Sequence, residues 1–474
     1  MEIDILKLTV AKAHEDMKAG LYTPKDLFFA CKKNIDERND SINAFLEVFD
    51  DAEEMAIRAG EMFQNGTATL MTGIPVSLKD NILYKGHRVS ESSKILEGYK
   101  APYDSKAVEE LKKVGAVIIG RTNMDEFAMG SSTESSAYGI TKNPLDETRV
   151  PGGSSGGAAA SVAMGGCLVA LGSDTAGSVR QPAGFCGVVG LKPSYGTVSR
   201  SGLMSMGSSL DVIGLLGKTV ECARAAYDVI AVADSLDGTS VSDEMRKAVV
   251  SKPVTKIGIP RAFVQMEGVT EEVKQRFFET LEKLKQNGYE IIDIELPHIH
   301  YSLPTYYIVM PAEVSTNLAR YDGVRFGLSV PGKNPDESYM KTRETGFGRE
   351  VKRRILLGTY VLSHGYADAY YNKAIKVRHK ITKEIEEVLK TVDVIVTPTS
   401  PAPAFQFGEK QDPLQLYAAD IFTVPANIAD IPAISIPNGM NKQNLPLDIQ
   451  VMGSYLHDQD MLSFAQKLEQ IISQ

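Results

Sequence analysis

Apolar residues recur at helical spacing over residues 6–18, with Gly20 behind them as a stop, and predict a first helix. Thr23-Pro24-Lys25-Asp26 then sets a capping hydroxyl, a first-turn proline and an acidic third helical position in a row, which predicts a second helix start. Residues 43–49 alternate and predict a strand, and Asp50-Asp51 predicts the cap of a helix reaching Asn65 and Gly66. From Gly73 a short apolar strand runs to Lys79. A helix capped at Ser105 runs to Lys113 and stops at Gly115, and residues 116–120 predict a buried strand. Residues 123–132 read as an irregular loop and 166–172 as a further apolar strand.

The alternation of helix and strand continues beyond residue 220. Strands are predicted at 256–260, 289–294, 394–398, 434–437 and 447–452. An amphipathic helix covers 271–286 and stops at Gly288, residues 301–375 mix helix with loops, a Pro-rich loop reaches Pro413, and a last helix starts near Asp460. Such alternation predicts an α/β class. With no internal repeat and no linker composition, residues 1–474 read as one large domain: a mainly helical segment 1–64, a core 65–220 and a remainder 221–474.

One stretch breaks the pattern. Between Arg149 and Asp174 no side chain is ionisable except Cys167, and the run is Gly, Ala and Ser rather than large apolar residues. It is too poor in Leu, Ile and Phe for a membrane span, and predicts a tightly packed core helix entered by a Gly/Ser turn. Serine-bearing turns bracket it, at Ser154-Ser155 and at Ser178. Composition adds exclusions. The net charge of −9 disfavours broad nucleic-acid binding by this chain, and four scattered cysteines (Cys31, Cys167, Cys186, Cys222) fit reduced buried thiols of a cytoplasmic protein. The N-terminal residues lack a basic segment followed by a long apolar one, so no export signal is expected.

Gly152 to Gly157 lacks the Gly-Lys-Ser/Thr ending of a phosphate loop and the spacing of a dinucleotide fingerprint. None of the seven histidines sits in a motif, and His298-Ile299-His300 has no matched third ligand, so no metal is expected. A serine–serine–lysine arrangement fits what remains. A lysine works as a base only when neutral, which burial favours, and a second serine can relay a proton because a hydroxyl both donates and accepts. Lys79, at the end of an apolar strand, is the candidate base against the plainer reading of a solvated strand end, and backbone N–H groups of residues 175–178 are candidates for an oxyanion hole.

Gly152-Gly-Ser-Ser-Gly-Gly157, the step from Ser154 to Ser178, Arg180-Gln181-Pro182, Gly190-Leu-Lys-Pro193 and Ile74-Pro-Val-Ser-Leu-Lys-Asp-Asn81 together resemble the amidase signature family. The resemblance implies a mixed β-sheet with helices on both faces, Ser178 as acyl-enzyme nucleophile, Ser154 as bridging serine after a cis peptide, and Lys79 as base. It implies an oxyanion hole from Thr175, Ala176, Gly177 and Ser178, supported by Ser155, Asp174 and Arg180. Position 176 departs from the family by carrying Ala where Gly is common; a positive φ there would make the change costly.

Within that family Asn123-Met-Asp-Glu-Phe-Ala-Met-Gly-Ser-Ser-Thr133, Pro311-Ala-Glu313, Asn317 to Arg325, Arg353-Arg354-Ile355 and Tyr417-Ala-Ala-Asp420 resemble the glutaminase (A) subunits of tRNA-dependent amidotransferases. The resemblance implies glutamine as substrate, with Arg354 on its carboxylate, Asp420 on its amino group, and Met129 and Ser131 beside them. It implies no cofactor in this chain, and a heterotrimer with B and C subunits in which the B subunit uses ATP and Mg²⁺ and carries most of the tRNA contact. The ammonia would convert Glu-tRNA(Gln), or also Asp-tRNA(Asn), to the amide. The alternative is a stand-alone amidase acting on another small amide; a non-catalytic scaffold is disfavoured by intact Lys79, Ser154 and Ser178.

Overall fold

The computed structural model describes residues 3–410 and 412–474. Its strands, in chain order, are β1 (Phe45–Val48), β2 (Pro75–Lys79), β3 (Val117–Thr122), β4 (Val169–Asp174), β5 (Val189–Lys192), β6 (Val212–Gly217), β7 (Lys256–Ile259), β8 (Glu290–Asp293), β9 (Val394–Thr397), β10 (Ala433–Met440) and β11 (Pro446–Gly453). They form a single sheet ordered β1-β3-β2-β4-β6-β5-β10-β11-β9-β7-β8. Pairing is mixed: β2 lies parallel to both β3 and β4, β7 is parallel to β8 and β9, and the remaining neighbours are antiparallel.

Successive strand residues point to opposite faces, and here the two faces bury two different cores. Val394, Val396, Ile434, Ile436, Ile449 and Val451 join one apolar cluster with the N-terminal helices. Their neighbours Ile395, Ala433 and Met452 join a second, with Tyr306, Met310 and Phe422. Both faces are therefore covered by helices, as the α/β pattern and the amidase resemblance imply. The parallel pair matters most for the site: Leu78 pairs with Leu171, so β2 and β4 end side by side, one on Lys79 and the other on Asp174. Carboxyl ends of parallel strands are where α/β sheets collect ligands.

The local elements follow their start and stop signals. Thr23 forms a full capping box with Asp26 at the head of the helix Pro24–Ile42, and the helix Glu271–Gln286 has the bounds its periodicity predicts. The first helix is shorter than its apolar spacing suggests, beginning at Val10 because Thr9 caps it by accepting from the Lys12 N–H. Asp51 stands at the N-cap of the helix Ala52–Gln64 without capping it; its carboxylate takes the Tyr84 hydroxyl instead. The apolar strand expected at 166–172 lies at Val169–Asp174, and residues 126–128 of the expected loop form a 3-10 turn. The uncharged run supplies the helix Gly156–Ala163, on which seven of the eight residues are buried. Gly157 lies so close to the Asn123 backbone that a Cβ would stand 2.6 Å from its nitrogen, and its N–H donates to the Asn123 carbonyl at 3.1 Å. No helix among the described residues is long and apolar enough to cross a membrane. The four cysteines are buried and unpaired.

Candidate active site

Lys79 is wholly buried, not solvated. Its ammonium donates to Ser154 Oγ at 2.7 Å, to Ser173 Oγ at 2.9 Å and to the Ser173 carbonyl at 3.4 Å. Burial pushes Lys79 down to about 8, while Glu91, Asp125, Asp174 and Asp211 pull it back upward. A lysine near 8 is partly neutral at physiological pH and can take a proton. The Gly153–Ser154 peptide is cis. Ser178 stands beside the same turn, its carbonyl accepting the Ser155 N–H at 3.0 Å. The structure joins Lys79 to Ser154 and draws no Ser154–Ser178 hydrogen bond among the described residues. Ser178 is 9% exposed whereas Lys79, Ser154, Ser155, Asp174 and Arg180 are at 0%, so the outermost of these groups is the candidate nucleophile.

The turn from Asp174 to Val179 is held from below. The Asp174 carboxylate accepts from the N–H groups of Gly177 (2.8 Å) and Val179 (3.2 Å) and from Asn427 Nδ2 (3.0 Å). Arg180 grips it from the side through Nε (3.0 Å) and Nη2 (2.9 Å). Burial alone would raise Asp174; the Arg180 guanidinium overrides it and holds the carboxyl at about 2. Arg180 also donates to the Thr423 carbonyl (2.8 Å), Gln450 Oε1 (2.6 Å) and Asn427 Oδ1 (2.6 Å), so five donations from one guanidinium tie the turn to residues far along the chain. Ser155 bonds through Oγ to the Ser173 carbonyl at 3.1 Å.

Ala176 carries no backbone penalty. The positive φ of the turn falls on Gly177 (+132°) and not on residue 176, so the alanine fits, contrary to the cost expected if that position required left-handed backbone. Gly177 is the constrained residue, because a Cβ there would lie 2.5 Å from Thr423 Cβ. Thr423 Oγ1 in turn donates to the Ala176 carbonyl at 2.5 Å. Thr175 is fixed by its hydroxyl, which donates to Asp211 Oδ1 at 2.8 Å.

The second group of candidates is joined to the serine turn, Thr423 Oγ1 donating to the Ala176 and Asp420 carbonyls and Gln181 linking the Ser131 carbonyl to the Gly153 N–H. Arg354, which by sequence alone looks like part of a solvated patch with Lys352 and Arg353, is buried. Its Nε donates to Glu350 Oε1 at 2.7 Å, Nη1 reaches Met310 Sδ at 3.7 Å, and its guanidinium carbon lies 5.5 Å from the stacked rings of both Tyr307 and Tyr417. Ser131 Oγ donates to Asp420 Oδ2 at 2.8 Å, yet burial pushes Asp420 up to about 7, against the pull of Ser131 and Arg354. Arg354 and Asp420 form no ion pair with each other among the described residues, which leaves a cation and an acid to be bridged. Met129 is buried in the second apolar cluster.

Sequence reasoning missed several partners. Ser173 binds both Lys79 and Asn81, and Asp211, Thr423, Asn427 and Gln450 hold the nucleophile turn. Ser173 and Asp211 were within reach as polar residues among buried apolar ones; the other three have no local pattern. At His298, Nδ1 meets Glu384 at 2.5 Å, and among the described residues no group of three His, Cys, Asp or Glu is placed to hold a metal.

Lys79 bonded to Ser154, with Ser178 on the adjoining turn of a mixed α/β sheet, is the arrangement of an amidase. The family model described as amidase matches residues 26–462, and the chain belongs to that family. Within it, the chain is 47% identical over 476 residues to the A subunit of the glutamyl-tRNA(Gln) amidotransferase of Thermodesulfovibrio yellowstonii, covering 99% of this chain and 98% of that one. The crystal structure of the corresponding A subunit from Thermotoga maritima superposes with a TM-score of 0.80 at 40% identity, over 99% of this chain and 96% of the other. The native peptide amidase of Stenotrophomonas maltophilia shares the fold alone, with a TM-score of 0.83 at 24% identity over 99% and 98% of the two chains.

Proposed function

We propose that the chain is the glutamine-hydrolysing A subunit of a glutamyl-tRNA(Gln) amidotransferase. Neutral Lys79 takes the Ser154 proton as Ser154 takes the Ser178 proton, and Ser178 Oγ attacks the side-chain amide carbon of glutamine. The developing oxyanion faces N–H groups of residues 175–178 on a turn that Asp174 already fixes through the Gly177 and Val179 N–H groups, so little reorganisation is needed when charge appears. The proton returns through the same relay to the amide nitrogen, ammonia leaves, and water hydrolyses the glutamyl ester. Arg354 takes the substrate's α-carboxylate and Asp420 its ammonium. The ammonium supplies the charge that the buried Asp420 lacks, so binding favours the ionised carboxylate.

The ammonia passes to a B subunit, where ATP and Mg²⁺ activate the misacylated glutamate and where most of the tRNA contact lies, with a C subunit completing a heterotrimer. Activation of Asp-tRNA(Asn) by the same complex is the further case. The observation that carries the reading is Lys79: fully buried, near 8, and 2.7 Å from Ser154. The test is ammonia release from glutamine by the chain alone and with B and C subunits, beside Ser178→Ala. Release that rises with the partners and is lost in the variant supports it. Partner-independent turnover of other amides with glutamine ignored would show a stand-alone amidase instead.

A further inference from the structure

Lys79 stands in an unusually acidic interior. The carboxyl groups that act on it or on its neighbour Glu91 are Asp80, Asp125, Glu126, Asp174 and Asp211, besides Glu91 itself. Five of the six are engaged. Asp80 takes Arg121 Nη1, Ser90 Oγ and the N–H groups of Ser90 and Ser92. Asp125 takes the N–H groups of Ser132, Thr133 and Ser135 and the Ser135 hydroxyl. Glu126 takes the Ser93 hydroxyl and the Gly348 N–H, and Asp211 takes Thr175 Oγ1 with the N–H groups of Met206 and Gly207. Asp174 belongs to Arg180.

Glu91 is the exception. It is 1% exposed, and its Oε2 is buried with no hydrogen-bond partner among the described residues. Lys79, like the buried Lys192, forms no ion pair among the described residues. Arg121 pairs with Asp80 and Glu47, and Arg180 with Asp174, but the donations of Lys79 go to two hydroxyls and a carbonyl. The backbone brings the two close. Glu91 N–H donates to the Asp80 carbonyl at 2.9 Å, one residue after Lys79, and the Asp80 carboxylate clamps both chain neighbours of Glu91. Glu91 and Ser92 both hold left-handed backbone (φ +53° and +48°), a conformation non-glycine residues adopt at a cost, so the turn that buries this carboxyl is over-determined.

We propose that Glu91 is the counter-carboxylate of Lys79, a positioning residue that sets how readily the lysine accepts the proton leaving Ser178. The inference rests on the reading of Lys79 as base. Burial raises Glu91 well above the ordinary carboxylate range while Lys79 draws it down, and Glu91 is the foremost of the carboxyls supporting the Lys79 ammonium against burial. Glu91 holds the one negative charge while neutral Lys79 takes the proton. When the Ser178 proton arrives through Ser154, the ammonium it creates is met by the Glu91 carboxylate. That proton then leaves on the amide nitrogen as ammonia departs, and the pair is reset.

The test is the pH profile of glutamine hydrolysis by the complex carrying Glu91→Gln or Glu91→Asp. Glu91→Gln removes the charge that favours the ammonium, so the acid limb of kcat/KM moves down by about half a pH unit or more, whereas Glu91→Asp keeps the limb near its original place. A limb unmoved in Glu91→Gln overturns the proposal. A second arm needs no activity: denaturation of Lys79→Met, Glu91→Gln and the double variant. Stranding the carboxyl makes Lys79→Met the costly change, and adding Glu91→Gln restores stability; strictly additive losses overturn the pairing. A wild-type complex without glutaminase activity would defeat the functional reading and leave this cycle to decide the pair.

Discussion

Replacing Arg180 by methionine keeps much of the side-chain volume and removes all five donations of the guanidinium. Asp174 is left as a buried carboxylate whose two remaining N–H partners and Asn427 do not neutralise it. Removing one member of a buried ion pair costs about 3–5 kcal/mol, a large part of the roughly 5–15 kcal/mol by which a domain is stable. The sign with pH is distinctive. In the wild type Asp174 is depressed from 3.8 to about 2, so its contribution, about 2 kcal/mol, is present above the unfolded value and lost as pH falls through about 2. In Arg180→Met burial acts unopposed by that cation and the shift reverses: the folded state then gains by protonating Asp174. Urea unfolding at pH 7 and pH 5 should show a deficit that shrinks at the lower pH. In an Asp174→Asn background the same substitution should cost markedly less, since no charge is stranded. A deficit below about 1 kcal/mol at pH 7, of the size expected for a surface pair, or one equal at both pH values, would refute this account of the turn.

Gly177→Ala forces a left-handed backbone on alanine and drives a Cβ into Thr423, so ammonia release should fall by about 10²–10³-fold, the scale of a lost oxyanion donor. Ala176→Gly, one residue earlier at negative φ, should cost only about 0.4–1 kcal/mol in thermal melts. The KM for glutamine should rise as pH falls through about 7, where Asp420 becomes protonated and no longer meets the substrate ammonium. Ser131→Ala removes a bond to the carboxylate and should move that limb to higher pH, as read from KM against pH. Arg354→Lys cannot present a fork to the α-carboxylate, so KM should rise about tenfold or more with kcat changed less, measured by steady-state ammonia release.

What the sequence discloses depends on how local the cause is. Caps and periodic faces are written in neighbouring residues, so Thr23 with Asp26 and the amphipathic helix Glu271–Gln286 read directly. The helix Arg180–Cys186 is buried on every side, and the Pro and Gly inside it speak against a helix; no periodic contrast marks it. Strand β6 is buried throughout and shows no alternation either. The serines and Lys79 could be singled out by motif, but the burial that fits Lys79 to act as a base, and makes Arg354 more than a surface charge, comes from residues far off in sequence. The partners of Arg180 at 423, 427 and 450 are similarly remote, and no spacing rule reaches them.

That remoteness has a consequence for the order in which a growing chain acquires activity. Lys79, Ser154 and Ser178 leave the ribosome early, but the guanidinium that seats their turn reaches acceptors 243 to 270 residues later, on the segment 423–450. The strand β5 likewise waits for β10 to complete its pairing. A nascent chain therefore carries every reacting group long before it can hold them in place, and a chain cut short of residue 450 has the residues of a hydrolase without its site. The proposed hydrolysis of glutamine therefore waits until the segment 423–450 has been made and has folded against the turn.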